Sequence, residues 1–276
     1  MDLAFFRPDG DRLVPLDLAR SMWRDDQMHG LAVSGALGRA IEARGLAAGR
    51  PELVPARYTV DLFRAATMEP CELETEVVRE GPRLMLVDAV LRQGGEPVAR
   101  ASAVLLRRTE VPDGEVWSPD DVPAPPPLDV APDEDTPRLP FFHSAAGWSQ
   151  DFGQHQNASR KQTWQTGLPI VLGEQPSPFV AAASIADGAS LVTNWGTRGV
   201  QYINTDITLS IARPPVGLQI GLVATDHHAS DGISVGSATV YDRRGAFGVA
   251  TVTALANSRR TVDLSDGMDY QRGPKR

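Results

Sequence analysis

Between Ser177 and Trp195 the chain reads SPFVAAASIADGASLVTNW, and Asp187 is the one charged residue in that stretch. A run so rich in alanine and aliphatics reads as a buried helix, with Ser177 as N-cap, Pro178 in the first turn, and Thr193, Asn194 and Gly196 as its stop. A carboxylate there must be hydrogen-bonded, paired or neutralised, because a lone buried charge costs several kcal/mol. That makes Asp187 the first candidate for chemistry in the chain. The plainer reading puts Asp187 at an exposed helix edge, or at a break made with Gly188.

Other chemistry-bearing residues read as structural. Asp226, His227, His228 and Asp231 are dense in metal-capable groups, but neighbours on a strand point to opposite faces, and DHHASDG reads as a solvated hairpin turn. No metal site is expected. Gly35–Gly38 lacks the spacing of a dinucleotide fingerprint, and Ser34 and Ser184 lack a nucleophile elbow. His143 and His155 read as surface or turn residues. Arg64 and Arg213 end strands and could meet an anion at a cleft mouth, although strand-end carbonyls are the simpler partners.

The elements that must hold Asp187 come from a chain of 276 residues with net charge −8. This is long enough for one large domain or two smaller ones, and its acidity argues against nucleic acid or an anionic membrane as partner. A single cysteine, Cys71, excludes an intrachain disulfide and a thiolate-rich zinc site. The opening MDLAFFRPDGDRL lacks a basic flank and apolar core, and no run is long enough to span a bilayer, so a cytoplasmic protein is expected.

Residues 3–16 predict a hairpin turning at Pro-Asp-Gly. A small-residue helix over about His29–Arg44, closed by Gly45, comes next, then four strands joined by AATMEP, EGPR and QGGEP. From Glu110 to Pro140 nine prolines and nine acids in thirty-one residues predict an extended linker. After it the order repeats: two strands, the Asp187 helix and four strands. TVDLFRA answers TLSIARP, which sets Arg64 opposite Arg213, so the chain reads as an internal duplication. The boundaries expected are 1–110 and 139–262 for the two units, 111–138 for the linker and 263–276 for a loose tail.

Several motifs occur in order: MHG at Met28–Gly30, ARYTVDLFR at Ala56–Arg64, LPIVLGEQPSPF at Leu168–Phe179, IAD at Ile185–Asp187, YINTDITLSIARPP at Tyr202–Pro215 and YDRRGAFGVA at Tyr241–Ala250. Together they resemble the acyl-CoA thioesterase II-like family, in the branch common in actinobacteria. The resemblance implies an α+β double hotdog: two tandem units, each an antiparallel sheet wrapped around a central helix, with their sheets joined edge to edge and an acyl tunnel between them. Pairing edges in this way would explain the duplication, and the remaining edges leave room for self-association into a homo-oligomer.

It also implies hydrolysis of fatty acyl-CoA by Asp-activated water without a cofactor. The aspartate falls on Asp187, the following-strand residue on Asn204 with Thr205 beside it, and the last-strand glutamine on Thr253, give or take one residue. His29 and Gly30 would supply substrate contacts and an oxyanion donor at the opposing helix, and Ser190 stands where the family carries an amide. The absence of glutamine from the last strand leaves open a second reading, a weakly active or inactive acyl-CoA or fatty-acid binding protein. A hotdog dehydratase ranks third, since no D-x-N-P-x-H string is present.

Overall fold

The computed structural model describes residues 3–257 and 260–265. The N-terminal half comprises β1 (Phe6–Asp9), β2 (Arg12–Pro15), α1 (Gly30–Ala47), β3 (Leu53–Asp61), β4 (Cys71–Glu80), β5 (Leu84–Gln93) and β6 (Glu96–Arg107). The C-terminal half begins with β7 (Phe141–Ser144), β8 (Gly147–Ser149), α2 (Phe152–His155), β9 (Gln162–Thr166), α3 (Pro178–Ile185) and α4 (Gly188–Asn194). It continues through β10 (Trp195–Gly196), β11 (Gly199–Val200), β12 (Tyr202–Asn204), β13 (Asp206–Ile211), β14 (Gln219–Ser230), β15 (Ile233–Asp242) and β16 (Gly245–Ala256). Among the described residues no helix is long and apolar enough to cross a membrane.

Fourteen strands form one antiparallel sheet in the order β1-β2-β4-β5-β6-β3-β13-β16-β15-β14-β9-β7-β8, with β12 also on β16. The halves meet where β3 pairs with β13. This is the double hotdog architecture, a single sheet curled around α1 on one side and α3–α4 on the other. Alternation sets the faces: Val60, Val87, Ala103, Ile207, Ala250 and Val252 point inward to the helices and are buried. Phe6 donates its N–H to Ile170 O at 2.9 Å, so the first strand also reaches the segment that follows β9.

The two helices run antiparallel and touch along small residues. Ser34 Oγ donates to Ala183 O at 2.6 Å and Ser184 Oγ to Leu31 O at 2.9 Å. A Cβ on Gly38 would stand 2.7 Å from the Ala183 Cβ, closer than such atoms approach, so the spacing requires glycine. Gly45 lies inside α1 instead of ending it; its missing side chain admits Leu105 of β6.

Other expectations shift as well. His227 and His228 lie within β14, and the turn is only Asp231–Gly232, both at positive φ as a two-residue hairpin loop requires. His155 is buried, bridging Ser144 Oγ at 2.9 Å and Ser149 Oγ at 2.8 Å. The proline-rich segment is docked on the outer face of the C-terminal sheet, with Ala131 buried beside Trp164, Val223 and Tyr241. Arg243 holds it through Pro126 O at 2.9 Å, and Gln219 through Pro132 O at 2.8 Å. Of the loose tail expected from Asp263, Leu264 is buried with Trp195, while 266–276 lie outside the described residues.

Candidate active site

Asp187 stands where the second helix breaks. Ser177 caps α3 by accepting from Val180 N–H at 3.1 Å, and the helix runs to Ile185. At Ala186–Asp187 the bonding tightens to three-residue steps, Asp187 N–H to Ser184 O and Ser190 N–H to Asp187 O, before α4 continues. Both sequence readings of this stretch thus hold in part: the helix is interrupted at Asp187, yet the carboxylate points into the molecule.

Its surroundings come from both halves. Asn204, the last residue of β12, donates its amide to Asp187 Oδ1 at 2.9 Å. From the other half, the first turn of α1 approaches so closely that a Cβ on Gly30 would overlap the Asp187 carboxylate. The Leu31 backbone N–H also stabilises the carboxylate there, at the positive end of the helix. Burial is the larger influence and raises the Asp187 pKa to about 6, with the bonds from Asn204 and Leu31 acting to lower it. The group is therefore a carboxylate at neutral pH, and a far better proton acceptor than an ordinary aspartate.

His29 fixes the start of α1. Its Nδ1 accepts from Ala32 N–H at 3.1 Å, so its Nε2 carries the proton and donates to Leu18 O at 2.9 Å. Burial lowers its pKa to about 4, which keeps the ring neutral. With both ring nitrogens engaged, His29 fixes the start of the helix and has no free nitrogen. Ser190 lies one turn after Asp187, on the same side of α4, and is buried.

Thr205 and Thr253 do not join this group. On β16, Val252 and Ala254 are buried against the helices, so Thr253 points outward, as does its cross-strand partner Val235. Thr205 is exposed, and its hydroxyl donates to Thr253 O at 3.2 Å. An extra residue between Asn204 and Thr208, set against Ala254 and Thr251, makes a bulge here, and Asp206 accepts from the Thr253 N–H at 3.2 Å. The β16 residue that pairs with Asn204 and shares its face is Ala254.

One amide was not singled out from sequence. Gln165 on β9 brings Nε2 to 3.1 Å from the point where a Cβ on Gly188 would stand. It lies far from Asp187 in the chain, and only the pairing of β9 with β14 places it next to α4. Arg213, by contrast, is structural, binding the buried Asp242 through two contacts of 2.7 Å. Among the described residues no group of three or more His, Cys, Asp or Glu side chains converges as a metal site would require.

A curled antiparallel sheet around two helices, with one carboxylate at their crossing, defines the double hotdog class. The comparisons with known proteins supply the family: the model for the acyl-CoA thioesterase N-terminal domain matches residues 19–106, and that for the acyl-CoA thioesterase C-terminal domain matches residues 119–256. The chain belongs to the acyl-CoA thioesterase family.

Among solved structures it is similar to the tesB protein of Mycobacterium avium subs paratuberculosis, with 14% identity, TM-score 0.63, and coverage of 91% of this chain and 95% of that one. It is similar to a conserved protein of unknown function with hot dog fold from Alicyclobacillus acidocaldarius, with 20% identity, TM-score 0.63, and coverage of 92% and 96%. It is also similar to the acyl-CoA thioesterase II TesB2 of Mycobacterium marinum, with 15% identity, TM-score 0.59, and coverage of 92% and 94%. At these identities the likeness is one of fold. No curated protein matches the chain.

Proposed function

We propose that the protein hydrolyses acyl-CoA thioesters, with Asp187 as the base that takes a proton from the attacking water. The observation that carries this reading is the environment of Asp187: a half-buried carboxylate whose desolvation raises its pKa to about 6, fixed by Asn204 from one side and by the first turn of α1 from the other. Water held against the free carboxylate oxygen would lose its proton as it attacks the thioester carbonyl. The Gly30 N–H lies at the positive end of α1, while its neighbours Leu31 and Ala32 bond Asp187 and His29, which suits it to stabilise the oxyanion that develops. Asn204 orients the carboxylate, and Ser190 lines the same side of α4. The leaving thiolate is a good leaving group and departs with little assistance.

Thiol release from a panel of acyl-CoAs tests this. The native protein should turn over, and Asp187→Asn should abolish the rate. Native turnover that persists in Asp187→Asn would reject the carboxylate as base. A second reading rests on Ala254, a small apolar residue beside Asn204 where an amide could have helped to place water. It makes the chain an acyl-CoA binding protein, recognised by tight binding without thiol release.

A further inference from the structure

We infer that Ser34 and Ser184 are positioning residues for Asp187: their hydroxyls hold open the break in the second helix and fix the carboxylate against the start of α1. The inference rests on the reading of Asp187 as the base. In an unbroken helix the Asp187 N–H would bond the carbonyl four residues back, at Ala183. It reaches Ser184 O at 3.4 Å instead, so Ala183 O loses the donor that the helix would have given it. Ala183 is fully buried, where an unpaired carbonyl is costly. Ser34 Oγ supplies a donor from α1 at 2.6 Å. The break is thus stabilised from the opposite half of the molecule, by a hydroxyl standing in for a backbone N–H.

Ser184 has the complementary task. Its hydroxyl donates to Leu31 O at 2.9 Å, while the Leu31 N–H bonds the Asp187 carboxylate. Leu31 is therefore held at both of its backbone groups, and with Asp187 N–H on Ser184 O the three residues form a closed circuit. A slide of α1 along the seam would break it. Gly35 makes room, since a Cβ there would stand 3.2 Å from Ser184 Oγ and 3.1 Å from its Cβ, so glycine lets the hydroxyl lie between the helices.

Packing alone does not call for these serines. Alanine fills the same seam at Ala183, against Gly38. A serine inside a helix commonly returns its hydroxyl to a carbonyl of its own preceding turn. Both of these reach across instead, one to the carbonyl that Asp187 has left and the other to the residue that binds its carboxylate.

The test uses the full-length protein and two readouts: kcat and KM for thiol release from an acyl-CoA, and carboxyl-carbon NMR titration of Asp187, which needs no turnover and is assigned by its loss in Asp187→Asn. Ser184→Ala and Ser34→Ala should each lower kcat by about tenfold or more and leave KM within about twofold. In both, Asp187 should titrate at higher pH than in the native protein, because the Leu31 N–H is no longer held on the carboxylate. Ser184→Cys, which keeps a weak donor, should fall between native and alanine. Glu42→Ala is the control: it removes the bond of 2.7 Å from Ser177 Oγ at the far end of the same seam, and should lower the melting temperature without moving kcat or the titration. Serine variants that melt lower, as Glu42→Ala does, but keep the native kcat and titration overturn the inference. Should Ser184→Ala fail to fold, native values in Ser184→Cys and Ser34→Ala overturn it equally. A moved titration in a protein whose thiol release is absent, or survives Asp187→Asn, rejects Asp187 as the base and leaves the serines as its positioning residues.

Discussion

Thr59 and Thr208 are cross-strand partners at the junction of the two halves, and they occupy equivalent positions of the internal duplication. Their neighbours obey the same relation, since Val60 pairs with Ile207 and Tyr58 with Leu209, as a local two-fold axis through the threonine pair requires. The helices follow suit: Ser34 and Ala183, separated by the same 149 residues, touch across the axis. Two units of one chain therefore meet as two subunits of a symmetric dimer would, and Asp187 lies near the seam with contacts from both.

The first prediction concerns Asp187 and pH. Activity should rise as pH passes through about 6 and level off above it, because only the carboxylate accepts a proton. The same shift has a stability cost of defined sign. The folded pKa is raised above the unfolded value near 4, so the native state is favoured below that value and loses this advantage as pH climbs through 6. Asp187→Asn should gain on the native protein by up to about 3 kcal/mol between pH 4 and pH 8. Urea denaturation of both proteins across that range measures it, and a constant difference between them would contradict the burial argument.

Asn204→Ala should raise the midpoint of the pH–rate profile, because it removes a bond that favours the charged carboxylate. The plateau rate should fall by about ten- to a hundredfold as the carboxylate loses its orientation. A lower rate with an unmoved midpoint would mean that Asn204 acts elsewhere.

Gly30→Ala places a methyl group on the Asp187 carboxylate. Overpacking of this kind typically costs about 1–3 kcal/mol, and the forced movement of the carboxylate should abolish turnover in protein that still folds. Circular dichroism with thiol-release kinetics separates these effects.

Ala254→Gln and Thr253→Gln distinguish the two faces of β16. The first introduces an amide on the face of Asn204 and should raise the rate by about tenfold or more if water is poorly held in the native protein. The second points outward and should change nothing.

Arg213 and Arg64 occupy equivalent positions in the duplication but different environments. Arg213→Ala strands the buried Asp242 and should cost about 3 kcal/mol by chemical denaturation. Arg64 reaches Glu96 only at 4.0 Å in solvent, and Arg64→Ala should leave the melting temperature unchanged.

These residues also show what the sequence could reveal. The lone acid in an apolar run and the repeat register of Arg64 and Arg213 were legible because helix periodicity and strand alternation are local properties. The face of Thr253 was not, because β16 carries a bulge at Phe247, where Val240 pairs with Gly248 but Tyr241 with Ala246, and a one-residue slip exchanges inside for outside. Gln165 was equally hidden, since its proximity to Gly188 depends on strand pairing alone. His155 read as a turn residue because its serine partners are supplied by a hairpin folding back on it.

The 149-residue offset that relates Thr59 to Thr208 carries Asp187 onto Gly38, which bears no side chain and lets Ala183 pack close. A dimer of identical chains would have to place an acid at both positions or at neither, and two such carboxylates would each demand room in the same helix seam. Joining the copies into one chain lifts that restriction. One half can keep the acid while its twin surrenders the position to close packing, so that a symmetric architecture carries one chemically distinct side.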